Sequence, residues 1–126
     1  MYKNLKNKKI LIFGNTGFIG SWLSIALDLL DVKVLGISLK MGNQNYVSNT
    51  SQFKRKIKTV YCDINNLDKI KNNIIGFKPE IIIHLASQPI VQKGFENPKK
   101  TFSTNIFGTI KIFEMIRKIS SVKKIV

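Results

Sequence analysis

The residues best placed to do chemistry are three glycines at every third position, Gly14, Gly17 and Gly20, between an apolar run and the start of a helical pattern. In Gly14-Asn15-Thr16-Gly17-Phe18-Ile19-Gly20 the first glycine permits a tight turn and the second lets backbone approach a pyrophosphate with no Cβ in the way. The third allows close packing of helix on strand. N–H groups opening the helix then face the phosphates, helped by the positive end of its dipole. Such spacing also occurs in plain turns, but the strand-loop-helix setting favours the phosphate reading. A P-loop is disfavoured, because Gly20 is followed by Ser21-Trp22 and no lysine is available for β- and γ-phosphates.

An NAD site usually adds an Asp or Glu about 20 residues further on, bound to the ribose hydroxyls. No carboxylate occurs here between Asp31 and Asp63, and Ser38, Leu39 and Lys40 fill the region instead. Ser38 could bond a ribose hydroxyl. Lys40 could meet a 2′-phosphate or be an ordinary solvated lysine, so the choice between NAD and NADP stays open on the residues alone.

The elements that must position this loop follow from periodicity. Ile10 to Phe13 is a short apolar run stopped by glycine, the pattern of a buried strand. From Phe18, Ile19, Trp22, Leu23, Ala26, Leu27 and Leu30 recur at helical steps and predict one apolar stripe on a helix ending at Asp31. Val32 to Ile37 reads as a second strand, completing a βαβ unit over residues 9–38. Lys40 to Lys58 turns polar without a period and reads as a surface excursion.

Ile57 to Cys62 predicts a third strand, and Leu67, Ile70, Ile74 and Phe77 a helical face ending near Gly76 and Pro79. Glu80 to Leu85 carries three successive isoleucines, as expected of a central strand buried on both faces. After a polar loop, Phe102, Ile106, Thr109, Ile110, Phe113 and Ile116 define a long helix with Pro98 in its first turn. Lys123 to Val126 starts another strand. Strands alternating with helices predict an α/β fold, a Rossmann-type doubly wound parallel sheet. Ending in the middle of a strand, it is expected to be incomplete at the C-terminus.

The whole-chain quantities agree with one domain. There are 126 residues, 44% hydrophobic and 22% charged, ordinary globular values that argue against disorder or coiled coil. Lys3, Lys6, Lys8 and Lys9 precede an uncharged stretch, but its glycines and polar groups argue against a signal peptide or membrane anchor. The lone Cys62 and lone His84 support neither a disulfide framework nor a metal site, which makes the cytoplasm the expected compartment. A net charge of +14 suggests anionic company. Nucleic acid is the weaker candidate, despite Lys54, Arg55, Lys56 and Lys58 beside Phe53 and Tyr61. The lysines are scattered, and no motif for binding nucleic acid occurs. His84, closing an apolar strand, reads as a packed core residue rather than a catalyst.

With GNTGFIGSWLS at 14–24, CDI at 62–64, HLASQPIV at 84–91 and ENPKKTFSTNIFGTIKIFE at 96–114, nearly the whole chain resembles the N-terminal part of an extended short-chain dehydrogenase/reductase, the NAD-dependent epimerase/dehydratase family. Gly20-Ser21-Trp22-Leu23-Ser24 and Gln88-Pro89 make it most similar to the CDP-glucose 4,6-dehydratase branch. The resemblance implies that residues 1–126 are a Rossmann portion for NAD, with NADP open, in a protein that continues into a sugar-nucleotide domain and forms homodimers.

By that resemblance the pyrophosphate meets Gly14, Gly17 and Gly20 and the backbone of Phe18 and Ile19. Asp63 and Ile64 contact adenine, although Asp63 equally suits a helix cap. Leu85, Ala86 and Ser87 lie along the cofactor ribose, and Gln88 points toward the sugar nucleotide. Asn105 supports the active-site hydrogen-bond and water network or merely tolerates its helix position, and Gly108 either permits close packing or simply costs some helix stability.

The implied reaction takes hydride from C4 of the sugar, eliminates water across C5 and C6, and returns hydride to C6, giving a 4-keto-6-deoxy sugar nucleotide. The Tyr and Lys that assist it in the resembled enzymes are expected beyond this chain, since Tyr2, Tyr46 and Tyr61 all precede the expected site. The isolated chain is therefore expected to be inactive. A UDP-sugar 4-epimerase, a GDP-mannose 4,6-dehydratase and a non-catalytic dinucleotide-binding module are the alternatives.

Overall fold

The computed structural model describes residues 5–40 and 57–126; the surface excursion expected from Lys40 to Lys58 falls almost wholly outside them, with the Lys54–Lys56 cluster. Five parallel strands, β1 (Lys9–Phe13), β2 (Lys33–Ser38), β3 (Lys58–Tyr61), β4 (Ile81–His84) and β5 (Lys124–Ile125), form one sheet in the order β3-β2-β1-β4-β5. Phe13 pairs with Ile37 on one side and His84 on the other, so the ends of β1, β2 and β4 lie level. Strand order reverses between β1 and β4, and in open α/β sheets ligands bind at such a switch point, beyond the carboxyl ends of the strands.

Both faces of the sheet are covered. Ile10 and Ile12 of β1 pack with Leu27, Val32 and Val34 on one face, while Leu11 and Phe13 pack with Leu35, Ile37, Ile64, Ile74, Ile82 and Ile112 on the other. This alternation along β1 is the period-two pleat of a strand buried on both sides. Each fully buried side chain of this size contributes roughly 1.5–3 kcal/mol. No helix among the described residues is long and apolar enough to cross a membrane.

Four expectations are corrected. Helix α1 (Phe18–Leu29) forms, but Ile19 and Trp22 of the expected stripe are exposed. Its buried face is instead Gly20, Ser21, Ser24, Ile25, Leu27 and Asp28, because small residues let the helix lie close against the loop that precedes it. After β3 the helical face divides into a 3-10 segment (Ile64–Ile70), kinked at Asn66, and α2 (Lys71–Phe77). α2 stops because Lys78 turns left-handed just before Pro79.

The polar loop after β4 contains a short helix, α3 (Val91–Glu96), that the sequence pattern did not announce. The long helix runs as α4 (Pro98–Phe102), a π-helical stretch (Ser103–Gly108) and α5 (Thr109–Ile116), with Pro98 in the first turn and Asn97 accepting a capping bond from the Lys100 N–H. Of its apolar positions Ile112 and Ile116 are buried in the core, and Met115 packs partly buried against it. Phe102, Ile106, Ile110 and Phe113 face outward, the opposite of what periodicity alone suggested.

Candidate functional site

The loop after β1 is held by close approach and by a buried neutral network. Gly14 has φ 86°, a left-handed conformation, and a Cβ there would lie 2.8 Å from the backbone of Leu85 and Ala86. A Cβ on Gly20 would overlap the Gly14 carbonyl oxygen, which is why the helix can start directly over the turn. Asn15 is buried at 3% exposure; its Nδ2 donates to Thr59 Oγ1 at 2.8 Å and its Oδ1 accepts from Ser38 Oγ at 3.0 Å. Ser38 Oγ in turn accepts the Thr16 N–H at 3.1 Å. Gly36, in the middle of β2, makes this possible, since the space its missing Cβ leaves is filled by the Asn15 amide.

Asn15, Gly36 and Thr59 were not among the candidates read from sequence. An isolated glycine inside an apolar strand was the available signal, because it marks a close approach of another group.

A cavity of about 130 Å³ opens at this edge, walled by the glycine loop, the ends of β2 and β3, and the segment after β4. Eight of the candidates line it: Gly14, Gly17, Ser38, Asp63, Ile64, Leu85, Ala86 and Ser87. Thr16, Leu39, Cys62 and Thr104 join them without having been singled out. Phe18 and Ile19 are exposed beside it, and Gly20 is buried beneath the loop. Whole-ligand pockets run to about 300–1,000 Å³, so this cavity has room for one part of a larger ligand. The N-terminus of α1 borders it with no capping side chain and no acid in its first turn, which favours a phosphate there.

The wall from β3 is tied down locally. Asp63 Oδ1 accepts from the Asn65 N–H at 2.8 Å and from Asn65 Nδ2 at 3.1 Å, so the helix-capping role is present beside its place on the cavity. Gly108 packs against the Ile64 side chain, where a Cβ would collide, so its purpose is close packing. Burial pushes the Cys62 thiol up, the Asp63 charge adds to this, and Lys69 offsets part of it. That thiol stays protonated, with its hydrogen near the carbonyls of Asp63 and Asn66.

Gln88 and Asn105 are brought together, but on each other. Asn105 Oδ1 accepts the Gln88 N–H at 2.7 Å and its Nδ2 donates to the Gln88 carbonyl at 3.1 Å, a two-point clamp between the π-helical turn and the loop after β4. The Gln88 amide folds back onto Ile90 and Thr101, which take both of its N–H groups and its oxygen. Neither residue is on the cavity wall.

His84 is half-buried at the end of β4, its ring edge-on to Phe13. Its Nε2 lies 2.9 Å from Thr109 Oγ1, and that hydroxyl donates to the Asn105 carbonyl, so Nε2 carries the hydrogen and Nδ1, buried without a partner among the described residues, is bare. Burial holds its pKa below the ordinary imidazole value. Tyr2 does have a lysine four residues on, Lys6, yet that pair precedes β1, whose carboxyl end carries the cavity. No group of three metal-ligating side chains occurs among the described residues.

Comparison with known proteins gives matches along nearly the whole length. The GDP-mannose 4,6 dehydratase family model matches residues 11–126. A CDP-glucose 4,6-dehydratase of Salmonella typhimurium is 33% identical over 121 residues, 96% of this chain and 34% of that protein. A putative UDP-glucose 4-epimerase of Methanocaldococcus jannaschii is 38% identical over 112 residues, 86% of this chain and 34% of that protein. The crystal structure of a UDP-glucose 4-epimerase from Thermotoga maritima, solved with UDP-glucose, superposes with a TM-score of 0.80 at 26% identity, over 93% of this chain and 36% of that one. The chain thus spans about a third of the length of these relatives.

Proposed function

Because the chain belongs to the GDP-mannose 4,6 dehydratase family, we propose that it is the dinucleotide-binding portion of a sugar-nucleotide 4,6-dehydratase of the CDP-glucose type, a cytoplasmic lyase yielding a 4-keto-6-deoxy sugar nucleotide. The observation that carries this reading is the convergence of Gly14 and Gly17, Asp63 and Ile64, and Leu85 to Ser87 on one cavity at the switch point of the sheet. The CDP-glucose assignment is supported by 33% identity across 96% of the chain.

The nicotinamide dinucleotide, when bound, supplies the hydride acceptor and donor. The chain's own part is to bind and orient it. The loop from Gly14 to Gly20 offers backbone N–H groups to the pyrophosphate, Asp63 and Ile64 flank the adenine, and Leu85, Ala86 and Ser87 border the ribose. Asn105 acts as a positioning residue by fixing Gln88 and with it the segment after β4. The sugar-binding part and the catalytic Tyr and Lys belong, in this reading, to further sequence.

The outward stripe of Phe102, Ile106, Ile110 and Phe113 supports pairing of two copies, since large contiguous apolar faces mark association surfaces.

The test is to incubate the full-length protein with NAD and, separately, CDP-glucose, GDP-mannose and UDP-glucose, following products by mass spectrometry. Loss of one water from CDP-glucose alone is expected. Loss from GDP-mannose, or isomerisation of UDP-glucose without change of mass, would replace this reading with the corresponding alternative.

A further inference from the structure

We propose that the N-terminal edge of the sheet, opposite the cavity, binds the phosphate backbone of a nucleic-acid duplex without reading its sequence. This surface is separate from the dinucleotide site and does not depend on that reading.

In a parallel sheet every strand starts at the same edge, so residues that open strands meet there however far apart they lie in the chain. Here β1, β2, β3 and β5 open on Lys9, Lys33, Lys58 and Lys124, and Lys78 closes α2 just ahead of β4. Lysines scattered in sequence are thereby gathered. Lys9 pairs with Lys33 in register, the Glu80 N–H lies on the Lys9 carbonyl, and the Lys123 N–H lies on the Glu80 carbonyl. Four adjacent strands thus carry Lys33, Lys9, Glu80 and Lys123 in one row, which at the usual spacing of strands is about 14 Å long. A duplex presents one negative charge per ~1.7 Å of its axis, so about eight charges face such a row.

Little of this charge is neutralised within the chain. Glu80 is shared by Lys8 and Lys123, Asp31 has a partner of its own, and Asp28 is buried in the last turn of α1. Lys33, Lys78 and Lys124 are exposed and make no ion pair or side-chain hydrogen bond among the described residues. Like charges set side by side, as on Lys9 and Lys33, repel each other, and a polyanion relieves that repulsion. Lys78 adds a second sign: its φ of 54° is left-handed, where glycine is the easier residue, and the position holds a charge instead. The turns that precede β1, β2, β4 and β5 hold no exposed aromatic ring among the described residues. Single strands are held by stacking on aromatic rings, and membrane surfaces favour Trp and Tyr anchors, so a duplex backbone met by charge alone is the partner that fits.

The experiment is fluorescence anisotropy of a labelled DNA duplex of mixed sequence, titrated with the full chain from about 50 to about 200 mM salt. The expected result is binding whose log K falls against log salt with a slope between about −3 and about −4, alike for A·T-rich and G·C-rich duplexes and with or without NAD⁺. Lys33→Gln/Lys124→Gln should make the slope shallower by about 2 and weaken binding about tenfold or more at low salt. Lys78→Gly, which relieves the left-handed backbone, should make it shallower by about 1 with no fall in the urea midpoint, so that weaker binding is not unfolding. Lys99→Gln/Lys100→Gln, the same charge removed from the head of α4, should bind as the parent does. No binding at the lowest salt, equal losses in the two double variants, displacement of the duplex by NAD⁺, or tighter binding to phosphatidylserine vesicles than to the duplex overturns the inference. In each case the dinucleotide reading stands or falls by its own assay.

Discussion

At the N-terminal edge of the sheet, Glu80 takes Lys8 Nζ at 2.7 Å and Lys123 Nζ at 3.3 Å. The backbone there is knotted as well, with the Glu80 N–H on the Lys9 carbonyl and the Lys123 N–H on the Glu80 carbonyl, both at 2.8 Å. At the C-terminal edge the corresponding work is done by neutral groups: Asn15, Ser38 and Thr59 beneath the glycine loop, and Asn105 on Gln88.

One end is closed with ion pairs that tie the starts of β1, β4 and β5, and at the other the glycine loop and the segment after β4 are held by neutral groups, with the Asp63 carboxylate fixing only the wall after β3. The difference shows how a strongly basic chain distributes its few carboxylates. Glu80 neutralises two lysines at the far edge, and amides and hydroxyls support the glycine loop, so the ties directly beneath it add no negative charge.

The contrast can be broken most severely at Gly36. Gly36→Val places methyl groups in the volume of the Asn15 amide, so the Asn15–Ser38–Thr16 ties are lost together. A stability loss of about 1–3 kcal/mol is expected from overpacking, with dinucleotide binding reduced beyond detection, as measured by urea unfolding and titration calorimetry.

Asn105→Ala comes next. It leaves both backbone groups of Gln88 without partners, which costs about 1–2 kcal/mol. Dinucleotide binding should weaken several-fold, and hydrogen exchange at the Gln88 amide should quicken while that of β1 is unchanged.

His84 gives a smaller, pH-dependent effect. Burial lowers its folded pKa, so the unfolded chain takes up the proton first. The contribution of neutral His84 is complete above the ordinary imidazole pKa and is lost as pH falls below it toward the folded value. Unfolding free energies measured across that window should decline in the parent chain and flatten in His84→Asn.

Glu80→Gln is the mildest change. The hydrogen bond from Lys8 holds the Glu80 carboxyl below the ordinary carboxylate range, with burial opposing and Lys123 assisting. Its contribution is present above the ordinary carboxylate pKa and is lost as pH falls through the lowered folded value. The variant should be slightly less stable at neutral pH, lose less on acidification and bind the dinucleotide as the parent does. A large binding defect in Glu80→Gln would show that the two edges are not independent.

Much of this was legible residue by residue. The apolar runs of β1, β2 and β4, the glycine loop and Pro98 at the head of the long helix all follow from local pattern, because strand burial and turn geometry are written in neighbouring residues. Facing was not. Trp22 and Ile19 on α1, and Phe102, Ile106, Ile110 and Phe113 on the long helix, have helical spacing and still point outward. Periodicity identifies an apolar side of a helix but not the element that covers it. The inward faces were chosen by closeness, through Gly20, Ser21 and Ser24 in α1 and Gly108 against Ile64 in the long helix.

The element types, their alternation and the parallel sheet follow from composition and spacing, since backbone preferences and burial act over a few residues. The turn made by the glycine loop belongs with them. Which polar side chains support that loop and which border the cavity was settled only by the tertiary structure. Asn15, Gly36, Ser38 and Thr59 come from three separate segments, and Asn105 meets Gln88 across 17 positions of chain. Hydrogen-bond partnership depends on ångström-scale placement, which the packing of strands and helices decides and no local pattern encodes.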